Sequence, residues 1–248
     1  MGETPVLLVT DAGGVAWITL NRPHLLNAIN MEMRDLLWPL LGAVRDDPAI
    51  KVAVFRGVGE RAFSAGADIT EFGTAPSYVE ARRARRERDL WGAMLRIWKP
   101  MVASIHGIAY GAGCELGLLC DIRIAADDAR FALPEVTLGY IPSAGGTQTL
   151  PRRIPSGLAR QMIYTGEPID AERALAAGLV HRVVPRARLD EETRAVAAAL
   201  ASMPQAALRG TKEAMLRGGG LPLERGLALE QAVARRVTSM DGADSVGA

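Results

Sequence analysis

The sequence predicts an α/β domain that is followed by a helical region. Short apolar runs alternate with helical patterns over roughly the first 145 residues, two β-rich runs open the chain, and the patterns after about Gly145 are almost all helical. Alternation of this kind is typical of parallel strands joined by right-handed crossovers. We expect the α/β core to span residues 1–185 and the helical region to span residues 186–248.

The opening runs, residues 6–9 and 15–20, flank the turn sequence Asp11-Ala12-Gly13-Gly14 and predict a β-hairpin. Asn30 is a good N-cap for a helix whose apolar residues recur at helical spacing up to residue 44, with a kink expected at Pro39.

Three buried strands are predicted after this helix, and the later part of the chain favours helices. The strands cover residues 52–55, 101–105 and 122–125. Helical patterns then cover residues 156–164, 170–177, 188–201 and 204–217. One short strand candidate lies at residues 180–184. The glycines at 218–220 indicate a break between helices.

Composition excludes several classes of protein. The 248 residues carry a formal net charge of +1, which provides no global field for nucleic acid. Cys114 and Cys120 form neither a disulfide framework nor a zinc set, and no apolar run is long enough to span a membrane. We expect a soluble, cytoplasmic protein without a targeting segment.

The arginine-rich run at residues 82–88 interleaves with acidic residues and is typical of a solvated helix face. A phosphate-facing or RNA-binding patch is the alternative interpretation. Lys212, one of only three lysines, allows a ligand contact, although a surface lysine is the ordinary interpretation.

Two glycine-bearing segments are candidates for binding an oxyanion. Residues 64–68 follow the strand at 52–55 and therefore lie at its carboxyl end, where a main-chain N–H near Ala67 could face a ligand oxygen. An ordinary tight loop is the alternative. Residues 105–115 run from a strand through glycines into a helix, which favours an N–H donor at Ala112 over a dinucleotide site, since Gly117 comes one residue too late for G-x-G-x-x-G.

Two glutamates lie in apolar, glycine-punctuated segments, where a carboxylate is costly to bury without a task. Glu115 and Glu135 together could supply a proton acceptor and a proton donor with coupled titration. A helix-start acid and a turn acid paired to arginines are the alternatives. The three histidines show no metal spacing, and no G-x-S-x-G elbow is present, so we expect no metal site and no serine nucleophile.

Several segments, which follow one another along nearly the whole chain, resemble the crotonase (enoyl-CoA hydratase/isomerase) superfamily in sequence and in order. They are Leu20-Asn21-Arg22-Pro23 with Leu26-Asn27-Ala28, the run from Phe63 to Ile69, the run from Gly107 to Leu116, the run from Cys120 to Ala125, and the run from Pro134 to Gln148.

This resemblance implies a crotonase-like ββα spiral with a C-terminal helical trimerisation region, assembled as a homotrimer or as a hexamer of two trimers. It implies an acyl-CoA substrate, no separate cofactor, and thioester binding by the backbone N–H groups of Ala67 and Ala112. Further contacts to coenzyme A would come from Lys212 near the phosphates and from the loop formed by Ala65, Ala67, Asp68, Ile69 and Thr70.

The presence of both glutamates resembles the 2-enoyl-CoA hydratases of the superfamily. It implies that Glu115 and Glu135 hold a water and move its protons as a trans-2-enoyl-CoA becomes a 3-hydroxyacyl-CoA. A double-bond isomerase, or a specialised hydratase of branched or aromatic acyl-CoA, is the alternative.

Overall fold

The computed structural model describes residues 4–71 and 87–244, in which ten strands form two sheets. Strands of the larger sheet are β1 (Val6–Thr10), β2 (Val15–Leu20), β3 (Val52–Gly57), β5 (Met101–Ile105), β7 (Ile122–Ala126) and β10 (Arg182–Val184), in that spatial order. Strands of the smaller sheet are β4 (Ala62–Ser64), β6 (Ile108–Tyr110), β8 (Arg130–Ala132) and β9 (Ile169–Asp170).

The two sheets are built by a repeating path of the chain. A strand of the larger sheet (β3, β5 or β7) is followed each time by a strand of the smaller sheet (β4, β6 or β8). Pairing is parallel from β2 to β10 and from β4 to β8, whereas β1 and β9 pair antiparallel. The chain therefore forms the predicted spiral, and each turn leaves the larger sheet at the carboxyl end of a parallel strand.

Nine α-helices accompany these strands in the described ranges. They are α1 (Met31–Asp46), α2 (Leu90–Leu95), α3 (Ala112–Leu119), α4 (Gly146–Thr149), α5 (Ser156–Thr165), α6 (Ala171–Ala176), α7 (Leu189–Ser202), α8 (Gln205–Gly218) and α9 (Leu223–Asp244). The Asn30 side chain caps α1 by accepting a hydrogen bond from the Met33 amide at 2.9 Å. The hairpin, this cap and the helical break after Gly218 confirm the predictions.

Both faces of the central strands β2, β3 and β5 are buried, which explains why these strands are apolar at nearly every position. One set of alternate residues, including Ile18, Phe55 and Ile105, faces the main core that the sheets share with α1 and α3. The other set, including Trp17, Val54 and Val102, forms a second core under α7. The first helix of the C-terminal region therefore packs directly on the spiral.

Helix α9 behaves differently, since it packs chiefly against α8 among the described elements. The buried Glu213 of α8 joins the two helices by pairing with Arg217 and Arg236. No helix within residues 4–71 and 87–244 has the length and apolar character needed to cross a membrane. Residues 82–86 of the arginine-rich run lie outside the described residues, whereas Arg88 pairs with Asp35.

Candidate functional site

The loop after β4 and the segment before α3 meet where the turns of the spiral leave the larger sheet. Gly66 (φ +99°) and Gly111 (φ +50°) have backbone conformations that other residues rarely adopt. A Cβ on Gly66 would lie 2.8 Å from the carbonyl oxygen of Tyr110 and 3.2 Å from the amide nitrogen of Ala112. Glycine therefore permits a backbone approach that any side chain at residue 66 would prevent.

The Ala67 amide points away from the segment that supports its loop. Ile29 donates its amide to the Gly66 carbonyl at 2.7 Å, and Asp68 donates its amide to the Ile29 carbonyl at 3.0 Å. This is a parallel bridge centred on Ala67, so the N–H of Ala67 itself lies on the opposite side of the strand. In the described part of the chain this N–H has no hydrogen-bond partner.

Ala112 is the first residue of α3, and its amide belongs to the helical turn whose N–H groups have no partner within the helix. Gly111 occupies the N-cap position and has no side chain to satisfy these donors. Across residues 4–71 and 87–244, the Ala112 N–H likewise donates no hydrogen bond. The close contact between the loops therefore brings two available main-chain donors into one region.

Glu115 lies in the first turns of α3 and is only 2% exposed. Its Oε1 accepts hydrogen bonds from the amides of Ala144 at 2.9 Å and Gly146 at 2.7 Å. Burial raises the pKa of Glu115 to about 7, and the charge of Glu135 adds to this rise, although the two amide donors oppose it. Glu115 is therefore poised to exchange a proton near neutral pH.

Glu135 begins a short 3-10 helix, Glu135–Leu138, and is partly buried. Burial raises the pKa of Glu135 too, while its own backbone amide lowers it. Its Oε2 is buried and has no partner among the described groups. A buried carboxylate oxygen without a donor is costly, which indicates a group that acts on a ligand.

Glu135 lies against the paired loops at Gly111, whereas Glu115 lies one helical turn after Ala112 and contacts Gly146. A Cβ on Gly111 would lie 3.0 Å from Oε1 of Glu135, and a Cβ on Gly146 would lie 2.8 Å from Oε1 of Glu115. The structure thus brings together Ala67, Ala112, Glu115 and Glu135, which come from four separate segments of the chain. Within residues 4–71 and 87–244, neither glutamate forms an ion pair with an arginine.

In the rest of the predicted coenzyme A loop, Ile69 and Thr70 are exposed, whereas Asp68 is buried. Ile69 is 59% exposed and Thr70 is also exposed, so both are accessible. Asp68 is buried, and it accepts hydrogen bonds from Arg22 at 2.9 Å and from the Thr70 hydroxyl at 2.6 Å. These donors hold the pKa of Asp68 below its ordinary value, and its carboxylate is used inside the loop.

Lys212 is separated from this group. Its ammonium donates to Asp121 at 2.7 Å and to the carbonyl oxygen of Lys99 at 3.0 Å. Lys99 and Asp121 come just before β5 and β7, so Lys212 lies at the amino ends of the strands, whereas the paired loops follow the carboxyl ends. Within one chain Lys212 and residues 65–70 therefore lie at opposite ends of the parallel strands, and the contact of Lys212 with coenzyme A stays a prediction.

Sequence reasoning missed the groups that support the site. The amides of Ala144 and Gly146 are 29 and 31 residues from the carboxylate that they bind, and only their small size in Ala144-Gly145-Gly146 could have indicated close packing. Arg22 and Asn27 belong to a segment that resembles the family, but the sequence predicts no structural role for either side chain. No cluster of three or more His, Cys, Asp or Glu side chains within the described ranges is arranged to hold a metal ion.

Comparison with known proteins places this chain in a family. Residues 10–245 match the family model described as enoyl-CoA hydratase/isomerase. The chain is 40% identical to the (E)-benzylidenesuccinyl-CoA hydratase of Thauera aromatica, over 86% of this chain and 83% of the relative. It is 35% identical to a short-chain-enoyl-CoA hydratase of Clostridium acetobutylicum, over 90% of this chain and 86% of the relative.

A solved structure agrees with these sequence matches. The crystal structure of an enoyl-CoA hydratase from Bacillus anthracis is similar with a TM-score of 0.88 and 37% identity, covering 93% of this chain and 90% of that one. The family match, the relatives and the shared fold lead to one conclusion: this chain is an enzyme of the enoyl-CoA hydratase/isomerase family, within the crotonase superfamily.

Proposed function

We propose that this enzyme hydrates a trans-2-enoyl-CoA to the 3-hydroxyacyl-CoA. The observation that carries the proposal is the meeting of two main-chain N–H donors, at Ala67 and Ala112, with two carboxyl groups whose pKa values are raised by burial. The names of the relatives support the same reaction class, since they include hydratases of several enoyl-CoA compounds.

The two amides suit the charge that this reaction develops. When water adds to C3 of an enoyl thioester, electron density moves through C2 to the thioester oxygen and gives an enolate-like state. Donors fixed in place before the reaction stabilise that charge without reorganising, and loss of one such donor typically costs on the order of 10²–10³ in kcat. We assign this role to Ala67 and Ala112.

The two carboxyl groups suit the proton transfers. One ionised carboxylate accepts a proton from the water as its oxygen bonds to C3, and a proton is delivered to C2, so that one water is consumed and no net redox change occurs. Oε1 of Glu115 is already held by two amides, whereas Oε2 of Glu135 has no donor among the described residues. Because the two groups titrate as a pair, we assign the protons to the pair.

The proposed substrate brings coenzyme A with it, and the proposal requires no further cofactor. Apolar side chains that are more than half exposed flank the site, and these are Ile69, Leu138, Tyr140 and Ile141. An acyl-CoA that covered them would remove apolar surface from water, which favours binding.

A specialised substrate is the second candidate. One relative at 40% identity is named for a benzylidenesuccinyl-CoA, which is an aromatic acyl-CoA. An isomerase would use the same N–H donors but would move a double bond without adding oxygen. Product mass separates hydration from isomerisation, because only hydration adds the mass of water. The kcat/KM values for crotonyl-CoA and for an aromatic enoyl-CoA separate the two hydratase candidates.

We also propose that the chain assembles as a homotrimer or as a hexamer of two trimers. The support is the exposed apolar surface of the α8–α9 hairpin, where Met215 is 70% exposed, Leu223 is 78% exposed and Leu227 is 48% exposed. Because α9 packs chiefly on α8, a neighbouring copy is a suitable partner for this surface.

Substitution of either glutamate tests the proton-transfer proposal. Glu115→Gln and Glu135→Gln keep the size of the side chain but cannot exchange a proton, so each should lower kcat for crotonyl-CoA by about 10²–10⁴. Loss of the conjugated enoyl-thioester absorbance measures the rate. The matched control is Glu172→Gln, an exposed glutamate of α6, which should keep wild-type activity; full activity in both site variants contradicts the proposal.

The raised pKa of Glu115 also predicts how stability depends on pH. The folded protein holds this proton up to a pKa of about 7, compared with 4.5 for the free side chain. The stabilising contribution is therefore complete below about pH 4.5 and is lost as the pH rises through about 7. Thermal unfolding midpoints of wild type and Glu115→Gln should diverge in favour of the variant between pH 5 and pH 8, whereas parallel curves would show that burial does not raise this pKa.

The assembly proposal is tested by placing a charge on the α8–α9 hairpin. Leu223→Arg and Leu227→Arg together should shift the mass measured by light scattering from that of a trimer or hexamer towards that of a monomer, because an unpaired buried charge opposes association. Val9→Arg, at a 61% exposed position of the edge strand β1, is the control and should leave the mass unchanged. A monomeric wild type would contradict the proposal.

A further inference from the structure

We infer that Asn27, Ser64 and the Arg22–Asp68 ion pair are positioning residues that fix the direction of the Ala67 N–H. The inference rests on the proposed function, because it concerns the donor that would meet the thioester oxygen. None of these side chains is one of the two glutamates, and each acts through hydrogen bonds around Ala67; the carboxylate of Asp68 is held by Arg22 and Thr70 inside its own loop. Their hydrogen bonds instead secure the chain on both sides of Ala67.

The Asn27 side chain links the segment before α1 to the residue that follows β3 and to the first residue of β4. It is fully buried and has φ +54°, a conformation that is uncommon for a residue other than glycine. Its Nδ2 donates to the carbonyl oxygens of Val58 at 2.9 Å and Ala62 at 2.8 Å, and its Oδ1 accepts the Arg22 amide at 2.9 Å. The three hydrogen bonds of the Asn27 side chain hold its backbone in this uncommon conformation, so the position of Asn27 is fixed by them.

The Ser64 hydroxyl links Asn27 to Gly66, the residue before Ala67. Its buried hydroxyl donates to the Asn27 carbonyl at 2.8 Å and accepts the Gly66 amide at 3.2 Å. The Gly66 carbonyl then accepts the Ile29 amide. Both polar groups of Gly66 are therefore held, and with them the peptide plane that bears the Ala67 N–H.

The Arg22–Asp68 pair holds the residue after Ala67. Arg22 Nη1 lies 2.9 Å from Asp68 Oδ2 and 2.7 Å from the Ala28 carbonyl oxygen, and both charged side chains are almost buried. Removing one member of such a pair leaves a poorly solvated charge, so the pair constrains the loop more strongly than a surface pair would.

Loss of one of these hydrogen bonds should therefore lower the reaction rate, because it would displace the Ala67 N–H. A displacement of about 1 Å in a positioned group can cost about 100-fold in rate even when it originates away from the reacting atoms. Ser64→Ala removes one hydroxyl and creates little space, so it should fold. The variant loses two hydrogen bonds, one to the Asn27 carbonyl oxygen and one from the Gly66 amide, and we expect at least about a 10-fold lower kcat. The KM for crotonyl-CoA should stay within about two-fold, because the coenzyme A contacts are untouched.

The decisive readout is the infrared carbonyl band of bound butyryl-CoA that carries ¹³C at the thioester carbon. This saturated ligand cannot be hydrated, so the measurement is independent of catalysis. Wild type should shift the band to lower frequency, and Ser64→Ala and Asp68→Asn should each show a smaller shift. Ser202→Ala, which removes an exposed hydroxyl from α7, is the matched control and should behave as wild type.

The outcomes separate the inference from the proposed function. A carbonyl shift in wild type without hydration of either crotonyl-CoA or an aromatic enoyl-CoA would overturn the hydratase proposal and leave the positioning role standing. Wild-type shifts in both Ser64→Ala and Asp68→Asn would overturn the positioning role, even if the variants were less stable. The absence of a shift in wild type would overturn it as well.

Discussion

Close backbone contact between the loop at Gly66 and the segment at Gly111 is the constraint on which the site depends. A methyl group at residue 66 would reach the Tyr110 carbonyl at 2.8 Å, so a side chain there would force the two loops apart. The amides of Ala67 and Ala112 belong to the residues that directly follow these glycines. Without the contact, the two amides would lie apart, so the proposed binding of one oxygen atom by both of them depends on it.

The spiral explains why these loops meet at all. Each turn leaves the larger sheet at the carboxyl end of a parallel strand and enters the smaller sheet, so loops that are distant in sequence arrive at the same edge. Helix α3 then begins at Ala112 and carries Glu115 into the interior, where the amides of Ala144 and Gly146 receive it. Burial raises the pKa of this carboxyl group, and its position in the fold supports the proposed role in proton transfer.

The sequence predicted the elements that local chemistry determines. The Asn30 cap, the hairpin and the buried strands follow from short patterns, and the burial of Glu115 follows from its apolar neighbours. The smaller sheet was implied only by the family resemblance, because strands of two or three residues carry almost no periodicity and pair with distant segments. The ion pairs of Asp68 and Lys212 could not be predicted either, since their partners lie 46 and 91 residues away.

The central claim is that one thioester oxygen accepts hydrogen bonds from both amides while the two carboxyl groups face the adjacent carbons. A crystal structure of the Glu115→Gln enzyme with bound crotonyl-CoA tests it most directly. The account predicts a thioester oxygen about 2.7–3.1 Å from the nitrogens of both Ala67 and Ala112, with C2 and C3 next to residues 115 and 135. A thioester bound with its oxygen away from either amide, or with C2 and C3 distant from both residues, would contradict it.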